Sequence, residues 1–140
     1  ERMAMNCVIV DDDPLSVRLL EGLIAQTDTL ALLRSFANAV EAVQFLREND
    51  VDILFLDVEM PEMTGLELLG ALDNKPAVVL VSSKAEYAVE AFQFDVDDYL
   101  LKPPTYARFL KAVKKVEDKI SQDQAIQFKG DFVFVKSDTA

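Results

Sequence analysis

The sequence predicts a doubly wound α/β domain: a five-stranded parallel sheet covered by helices on both faces. Three observations lead there. Short apolar runs recur along the chain as Cys7-Val8-Ile9-Val10, Ile53-Leu54-Phe55-Leu56, Val78-Val79-Leu80-Val81 and Tyr99-Leu100-Leu101, apolar on both faces as covered parallel strands are. Between them lie segments whose apolar residues repeat at a helical period. Reactive polar residues then stand at the carboxyl ends of the runs, where such sheets hold their ligands.

The elements follow in order. The first run, Cys7 to Val10, is a strand, and Leu15, Leu19, Leu20, Leu23 and Ile24 repeat after it as a first helix. Leu30 to Phe36 is a weaker strand pattern. Val40, Val43, Phe45 and Leu46 mark a second helix closed by Asn49. After the Ile53–Leu56 strand, Leu66, Leu68, Leu69 and Leu72 form a third helix; Thr64 caps it and Glu67, three residues on, completes a capping box. Val78–Val81 leads into a short fourth helix over Ala85–Phe92. The fifth helix follows Tyr99–Leu101, capped by Thr105, with Phe109, Val113, Val116 and Ile120 as one apolar stripe. Arg108, Lys111, Lys115 and Lys119 make a basic face on it, expected to be solvated surface, with partner docking as the alternative. The βαβαβαβαβα order spans residues 5–120, and right-handed crossovers place helices on both sides of the sheet. Glu1-Arg2-Met3-Ala4 is expected to be extraneous to the domain. Ser121-Gln122-Asp123-Gln124 reads as a linker, and Ile126–Phe128 and Phe132–Val135 flank Lys129-Gly130-Asp131 like a hairpin.

Composition narrows the chemistry. The 140 residues are 51% apolar and 28% charged, as in a folded domain. With no histidine and one cysteine, zinc sites and histidine-dependent triads are excluded. The lone Cys7 sits in an apolar run, fits a reducing cytoplasm and reads as a small buried hydrophobe. No apolar run approaches the ~20 residues that span a bilayer, so no membrane contact is expected. A net charge of −11 opposes nucleic-acid binding by this segment itself and suits a divalent cation or a basic partner.

Asp11, Asp12 and Asp13 follow the first strand, Asp57 ends the third, Ser82 and Ser83 end the fourth, and Lys102 ends the fifth. The topology brings all of them to one edge. Carboxylates about 4 Å apart repel by roughly 4 kcal/mol under surface-like screening, so a cation must compensate. Oxygen ligands with positions left for water and a phosphate oxygen suit Mg²⁺. Asp57 is then the candidate nucleophile for an acyl phosphate, with the Lys102 ammonium and the cation offsetting charge on the phosphoryl oxygens. The Ser82 hydroxyl can hydrogen-bond the bound group.

Val10-Asp11-Asp12-Asp13-Pro14, Leu54-Phe55-Leu56-Asp57-Val58-Glu59-Met60-Pro61-Glu62-Met63-Thr64-Gly65, Ser82-Ser83 and Asp98-Tyr99-Leu100-Leu101-Lys102-Pro103 resemble the receiver domain of two-component response regulators. The resemblance covers residues 5–120 and implies a flavodoxin-like (βα)5 sheet of strand order 2-1-3-4-5. It also implies a phosphoacceptor, Asp57, and Mg²⁺ bound by Asp12, Asp57 and the Glu59 carbonyl, with Asp11 acting through water. Ser82 and Tyr99 would be the switch residues, Lys102 the phosphoryl contact, and Lys102–Pro103 a cis peptide. A histidine kinase would be the donor, and the domain would assist its own phosphorylation and dephosphorylation without being an enzyme in the ordinary sense. Homodimerisation through the fourth helix, fifth strand and fifth helix is typical of the family. Departures are Ser82 in place of the commoner threonine, Ser83 in place of a small apolar residue, and Glu59, whose side chain is expected near the metal site.

Ala85–Phe92 and Asp97–Pro103 are similar to receivers of the LytR/AlgR type, and residues 126–137 resemble the first strands of a LytTR DNA-binding domain. On that reading residues 121–140 are a linker and the start of a truncated output domain that controls transcription. Two rivals stand beside it. Asp57-Val58-Glu59 faintly resembles the nucleophile motif of haloacid-dehalogenase-type phosphatases, although that motif lies on the first strand there and on the third here. A receiver-like interaction module that takes no phosphate is the other, and the intact Asp12, Asp57 and Lys102 oppose it. A flavin site fails for want of a phosphate-cradling loop after the first strand.

Overall fold

A computed structural model describes residues 4–133. The strands are β1 (Met5–Val10), β2 (Leu30–Phe36), β3 (Ile53–Asp57), β4 (Ala77–Ser82) and β5 (Asp98–Leu101). The helices between and after them are α1 (Pro14–Ala25), α2 (Ala39–Glu48), α3 (Gly65–Gly70), α4 (Tyr87–Ala91) and α5 (Tyr106–Val133). All strand pairs are parallel, in the order β2-β1-β3-β4-β5 that the resemblance implies. Among the described residues no helix is long and apolar enough to cross a membrane.

Burial explains the order. β3 is buried at every residue, and β1 and β4 nearly so, whereas β2 and β5 carry exposed positions and lie at the edges. Alternate residues feed two cores, because side chains on a strand point to opposite faces. Val8, Val10, Leu54, Leu56, Val78 and Leu80 pack with α2 and α3. Cys7, Ile9, Phe55, Val79, Val81 and Leu100 pack with α1 and α5, where Phe55 stacks on Phe109 at 5.2 Å. Burial of each large side chain stabilises the fold by about 1.5–3 kcal/mol. On the open edge of β2, the Arg34 guanidinium lies 4.5 Å from the Phe36 ring centroid and 5.6 Å from that of Phe45.

Local signals set the helix starts. Asp13 caps α1 by accepting from the Leu15 amide at 3.1 Å, and Asn38 caps α2 through the Glu41 amide at 2.9 Å. The capping box of Thr64 and Glu67 is formed, at 3.1 and 2.9 Å. Thr105 accepts from the Arg108 amide at 3.2 Å.

Three expectations need correction. The fourth helix is shorter than Ala85–Phe92: α4 ends at Ala91 and tightens into a 3₁₀ turn over Phe92–Phe94. The basic face of α5 is not simply solvated, since Arg108 and Lys115 pair with Asp98 and Lys119 pairs with Asp97. And α5 does not end at Ile120. It runs to Val133, through the segment read as a linker (121–124) and through Ile126–Phe128, read as a strand. Gln122, Gln124 and Ala125 are good helix formers, no proline intervenes, and a two-stranded hairpin lacks the surface to stand alone. Phe134 and Val135 of the second arm, and Glu1 to Met3, lie outside the described residues.

One glycine is dictated by packing. A Cβ on Gly65 would overlap the carbonyl oxygen of Asp57 and crowd its carbonyl carbon at 3.1 Å. The first turn of α3 therefore lies directly on the end of β3, fixed by the Gly65 amide donating to the Val58 carbonyl at 2.9 Å. Gly65→Ala must displace one or the other. It is expected to destabilise the fold by about 1–3 kcal/mol in urea denaturation and to shift the backbone resonances of Asp57 and Val58.

Candidate functional site

Strand register places the chemistry. Val10 is opposite Leu56 in the β1–β3 pair, so Asp11 and Asp57, the next residue on each strand, emerge side by side. This is where the strand order reverses, between β1 and β3. Ser82 faces Leu101 in the β4–β5 pair, which brings Lys102 to the same edge. The Lys102–Pro103 peptide is cis.

The carboxylates of Asp11, Asp12 and Asp57 each offer an oxygen within 4.8 Å of the others. Asp11 and Asp57 are buried, 1% and 5% exposed, and Asp12 is open to solvent. Lys102 Nζ lies 3.0 Å from Asp11 Oδ2 and 3.6 Å from Asp57 Oδ1. It donates to Asp11 Oδ1 at 3.3 Å, and Asp11 Oδ2, although beside the ammonium, accepts no hydrogen bond. The Asp13 amide donates to Asp11 Oδ1 at 2.9 Å, and the Glu59 amide to Asp57 Oδ1 at 3.3 Å.

One ammonium does not balance three carboxylates. Burial, then the neighbouring Asp11 charge, pushes the Asp57 carboxyl up to about 7, with a hydrogen bond that the protonated Asp57 donates to Asp12 adding to the rise; Lys102 and the Glu59 amide pull the other way. Burial disfavours the Lys102 ammonium, but its bond to Asp11 and the Asp57 and Asp11 charges outweigh that and hold it above its ordinary value. A buried oxygen that accepts no hydrogen bond, among carboxylates with no sulfur or imidazole beside them, suits a hard divalent cation.

Sequence reasoning placed Asp11, Asp12, Asp57 and Lys102 together, and the structure does so. Ser82 ends β4 at 1% exposure, its Oγ accepting from the Lys84 amide at 3.1 Å. Tyr99 is half-buried, its hydroxyl donating to the Lys84 carbonyl. The Glu59 side chain reaches across to the loop before α4 and to its first residue, where Lys84 Nζ lies at 3.0 Å and the Tyr87 hydroxyl donates at 2.9 Å. The bonds to Lys84 and Tyr87 hold the Glu59 carboxyl below its ordinary range. Lys84, Tyr87 and the Gly65 contact escaped the sequence reading. Lys84, two residues past Ser82, was within reach as a strand-end residue, but no spacing reveals its partner on another loop.

The raised Asp57 carboxyl makes stability depend on pH. Its unfolded value lies near 3.8 and its folded value near 7, so folding takes up a proton between them. That group's contribution is fully present below pH 3.8 and is lost as pH rises through 7. Without divalent cations, Asp57→Asn should therefore be more stable than the native chain at pH 8, by about 2–4 kcal/mol. The advantage should shrink below pH 7 and vanish near pH 4, as read by denaturant titrations across that range.

Comparison with known proteins agrees with this geometry. Residues 7–114 match the family model described as the response regulator receiver domain. The transcriptional regulatory protein BtsR of Salmonella typhimurium is 37% identical over 125 residues, covering 87% of this chain and 52% of that protein. The chain thus spans about half the length of the curated relatives it matches. Among solved structures, the response regulatory domain of mrkE from Klebsiella pneumoniae superposes with a TM-score of 0.77 at 31% identity, covering 84% of this chain and 99% of that one. A chain of the CheX-CheY-BeF3-Mg²⁺ complex from Borrelia burgdorferi gives a TM-score of 0.74 at 25% identity, covering 81% of this chain and 90% of that one. The fold, the acidic pocket at its strand ends and the match over residues 7–114 agree: the chain belongs to the response regulator receiver domain family.

Proposed function

We propose that the chain is a phosphorylation-controlled signalling switch in which Asp57 accepts a phosphoryl group from a histidine kinase. The observation that carries this reading is the convergence of three carboxylates and the Lys102 ammonium at one end of the sheet. Asp57 Oδ attacks phosphorus, the phosphorus–nitrogen bond of the kinase's phosphohistidine breaks, and the imidazole leaves with a proton. Asp12, Asp57 and the Glu59 carbonyl would hold Mg²⁺, with Asp11 acting through water, and the bound ion would supply positive charge that favours the ionised Asp57 and the phosphoryl oxygens. The Mg²⁺ and BeF3 of the Borrelia CheY complex support the choice of ion.

The residues of the chain divide the remaining work. Lys102, freed in part from Asp11, neutralises a phosphoryl oxygen. Ser82 Oγ accepts from the Lys84 amide, which leaves its own O–H to donate to the phosphoryl group. Turning inward, Ser82 draws on the loop whose Lys84 carbonyl holds the Tyr99 hydroxyl, and Tyr99 follows. Moving such an equilibrium from 1:99 to 99:1 takes about 5.5 kcal/mol, a scale that charge-assisted bonds to a phosphoryl group reach.

Exposed Leu15 and Leu19 on α1 line a cleft with Pro103 and Lys102 beside the pocket, a surface suited to the phosphodonor protein. Val89, Leu101 and Leu110 are exposed on α4, β5 and α5, which supports a homodimer through that face. Residues 121–140 lead, on this reading, into a LytTR-type DNA-binding output domain acting in the cytoplasm; the name of the BtsR relative, a transcriptional regulatory protein, supports a transcriptional output. The Asp57-Val58-Glu59 motif on β3 and the family match favour signalling over hydrolysis of a small phosphate ester.

Acetyl phosphate with Mg²⁺ should add one phosphoryl group, mapped to Asp57 by mass spectrometry; Asp57→Asn should show none, and labelling of that variant would refute the assignment. Lys102→Ala should slow the gain by about 100-fold, the typical loss on removing one charge-stabilising donor.

A further inference from the structure

Among the described residues away from the carboxylate pocket, paired charges gather where α5 crosses the start of β5. The Asp98 carboxylate, 7% exposed, takes a fork from Arg108: Nη1 donates to Oδ2 at 2.9 Å and Nη2 to Oδ1 at 2.8 Å. Lys115 stands 3.4 Å from the same Oδ1. One residue earlier, Asp97 accepts from Lys119 at 2.9 Å and from the Val78 amide of β4 at 2.8 Å. Arg108 to Lys119 spans about three turns of helix, so two adjacent carboxylates hold a long stretch of α5.

The same groups bracket Tyr99. Its amide donates to Asp98 Oδ1 at 2.8 Å, and its carbonyl accepts from Arg108 Nη2 at 3.3 Å. Arg108 lies in the first turn of α5. The backbone on both sides of Tyr99 is therefore bonded, through one acid–base fork, to the helix. A bidentate pair on a buried carboxylate is stiff, unlike an exposed pair between flexible side chains. By contrast, α4 has five residues and buries only Ala91, and its nearby links, Glu59–Lys84 and Tyr87–Glu59, join half-exposed groups.

We propose that Asp97 and Asp98, with Arg108, Lys115 and Lys119, form a clamp that makes β5 and α5 one moving body, so that displacement at Tyr99 is delivered to α5. Asp98 and Arg108 are positioning residues. The proposal rests on the phosphoacceptor reading only for what sets Tyr99 moving; the clamp belongs to the unmodified chain.

Native-state hydrogen exchange on the whole chain, without any phosphodonor, tests the clamp itself. Asp98→Asn should speed exchange of the Tyr99 amide and of the first three turns of α5 together, tenfold or more, leaving α1 and β3 unchanged. Arg108→Gln should do the same, and Arg108→Lys, which keeps a charged donor for Asp98, should retain most of the protection. Faster exchange confined to β5 or to α5 alone, or a loss in Arg108→Lys as large as in Arg108→Gln, overturns the clamp. Spin labels at Glu48→Cys and Lys111→Cys, with beryllofluoride and Mg²⁺, then read delivery; Cys7 is fully buried and stays unlabelled. The α5 displacement should fall by at least half in Asp98→Asn while Asp57 still takes fluoroberyllate, and an equal displacement overturns the proposal. If Asp57 in the native chain takes no fluoroberyllate, the phosphoacceptor reading falls, and the exchange result decides the clamp.

Discussion

Two buried carboxylates held side by side are the constraint around which this domain is arranged. The β1–β3 register places Asp11 beside Asp57, and both lie at 5% exposure or less. Burial and the neighbouring Asp11 charge each raise the cost of ionising Asp57, and Lys102 relieves only part of it. An apolar pair of similar volume there would stabilise the fold more cheaply. What the carboxylates provide is a pocket whose own charge is unbalanced, and which gains when positive charge or a group carrying it arrives. The strands fix positions, and the imbalance supplies the response.

The surroundings divide into rigid and yielding parts. β3 ends under the first turn of α3, where Gly65 leaves no room for a side chain, so the Asp57 backbone is fixed from below. The loop before α4 is held differently. Glu59, Lys84, Tyr87 and Tyr99 connect it through side chains that are mostly half-exposed, and such bonds exchange with water at little cost. A pocket with a stiff floor and a loosely tied wall turns a local change of charge into displacement of the wall.

Much of this was legible in the sequence, and for physical reasons. Covered parallel strands must be apolar on both faces, so Ile53–Leu56 and Val78–Val81 announce themselves, and Thr64 with Glu67 marks a helix start without ambiguity. Asp11, Asp57 and Lys102 were placed together because a doubly wound topology leaves their strand ends nowhere else to go. The Glu59–Lys84–Tyr87 contacts were hidden, since they join two loops whose approach no periodicity encodes. The end of α5 was misread because Ile126–Phe128 and Phe132–Val135 alternate around a glycine as a hairpin does, while helix propensity carries through Gln122–Ala125. The basic face of α5 looked solvated because its partners, Asp97 and Asp98, precede it by ten residues or more on a different element.

The seven-residue edge strand β2 offers an unpaired row of backbone donors and acceptors, the kind of rim on which a foreign strand can grow. Arg34 sits near the middle of it, its guanidinium parked over Phe36 and Phe45. An incoming strand would have to strip water from that charge and break its aromatic stacking before the first ladder bond closed. A charge held at that place disfavours the addition of a further strand along this flank.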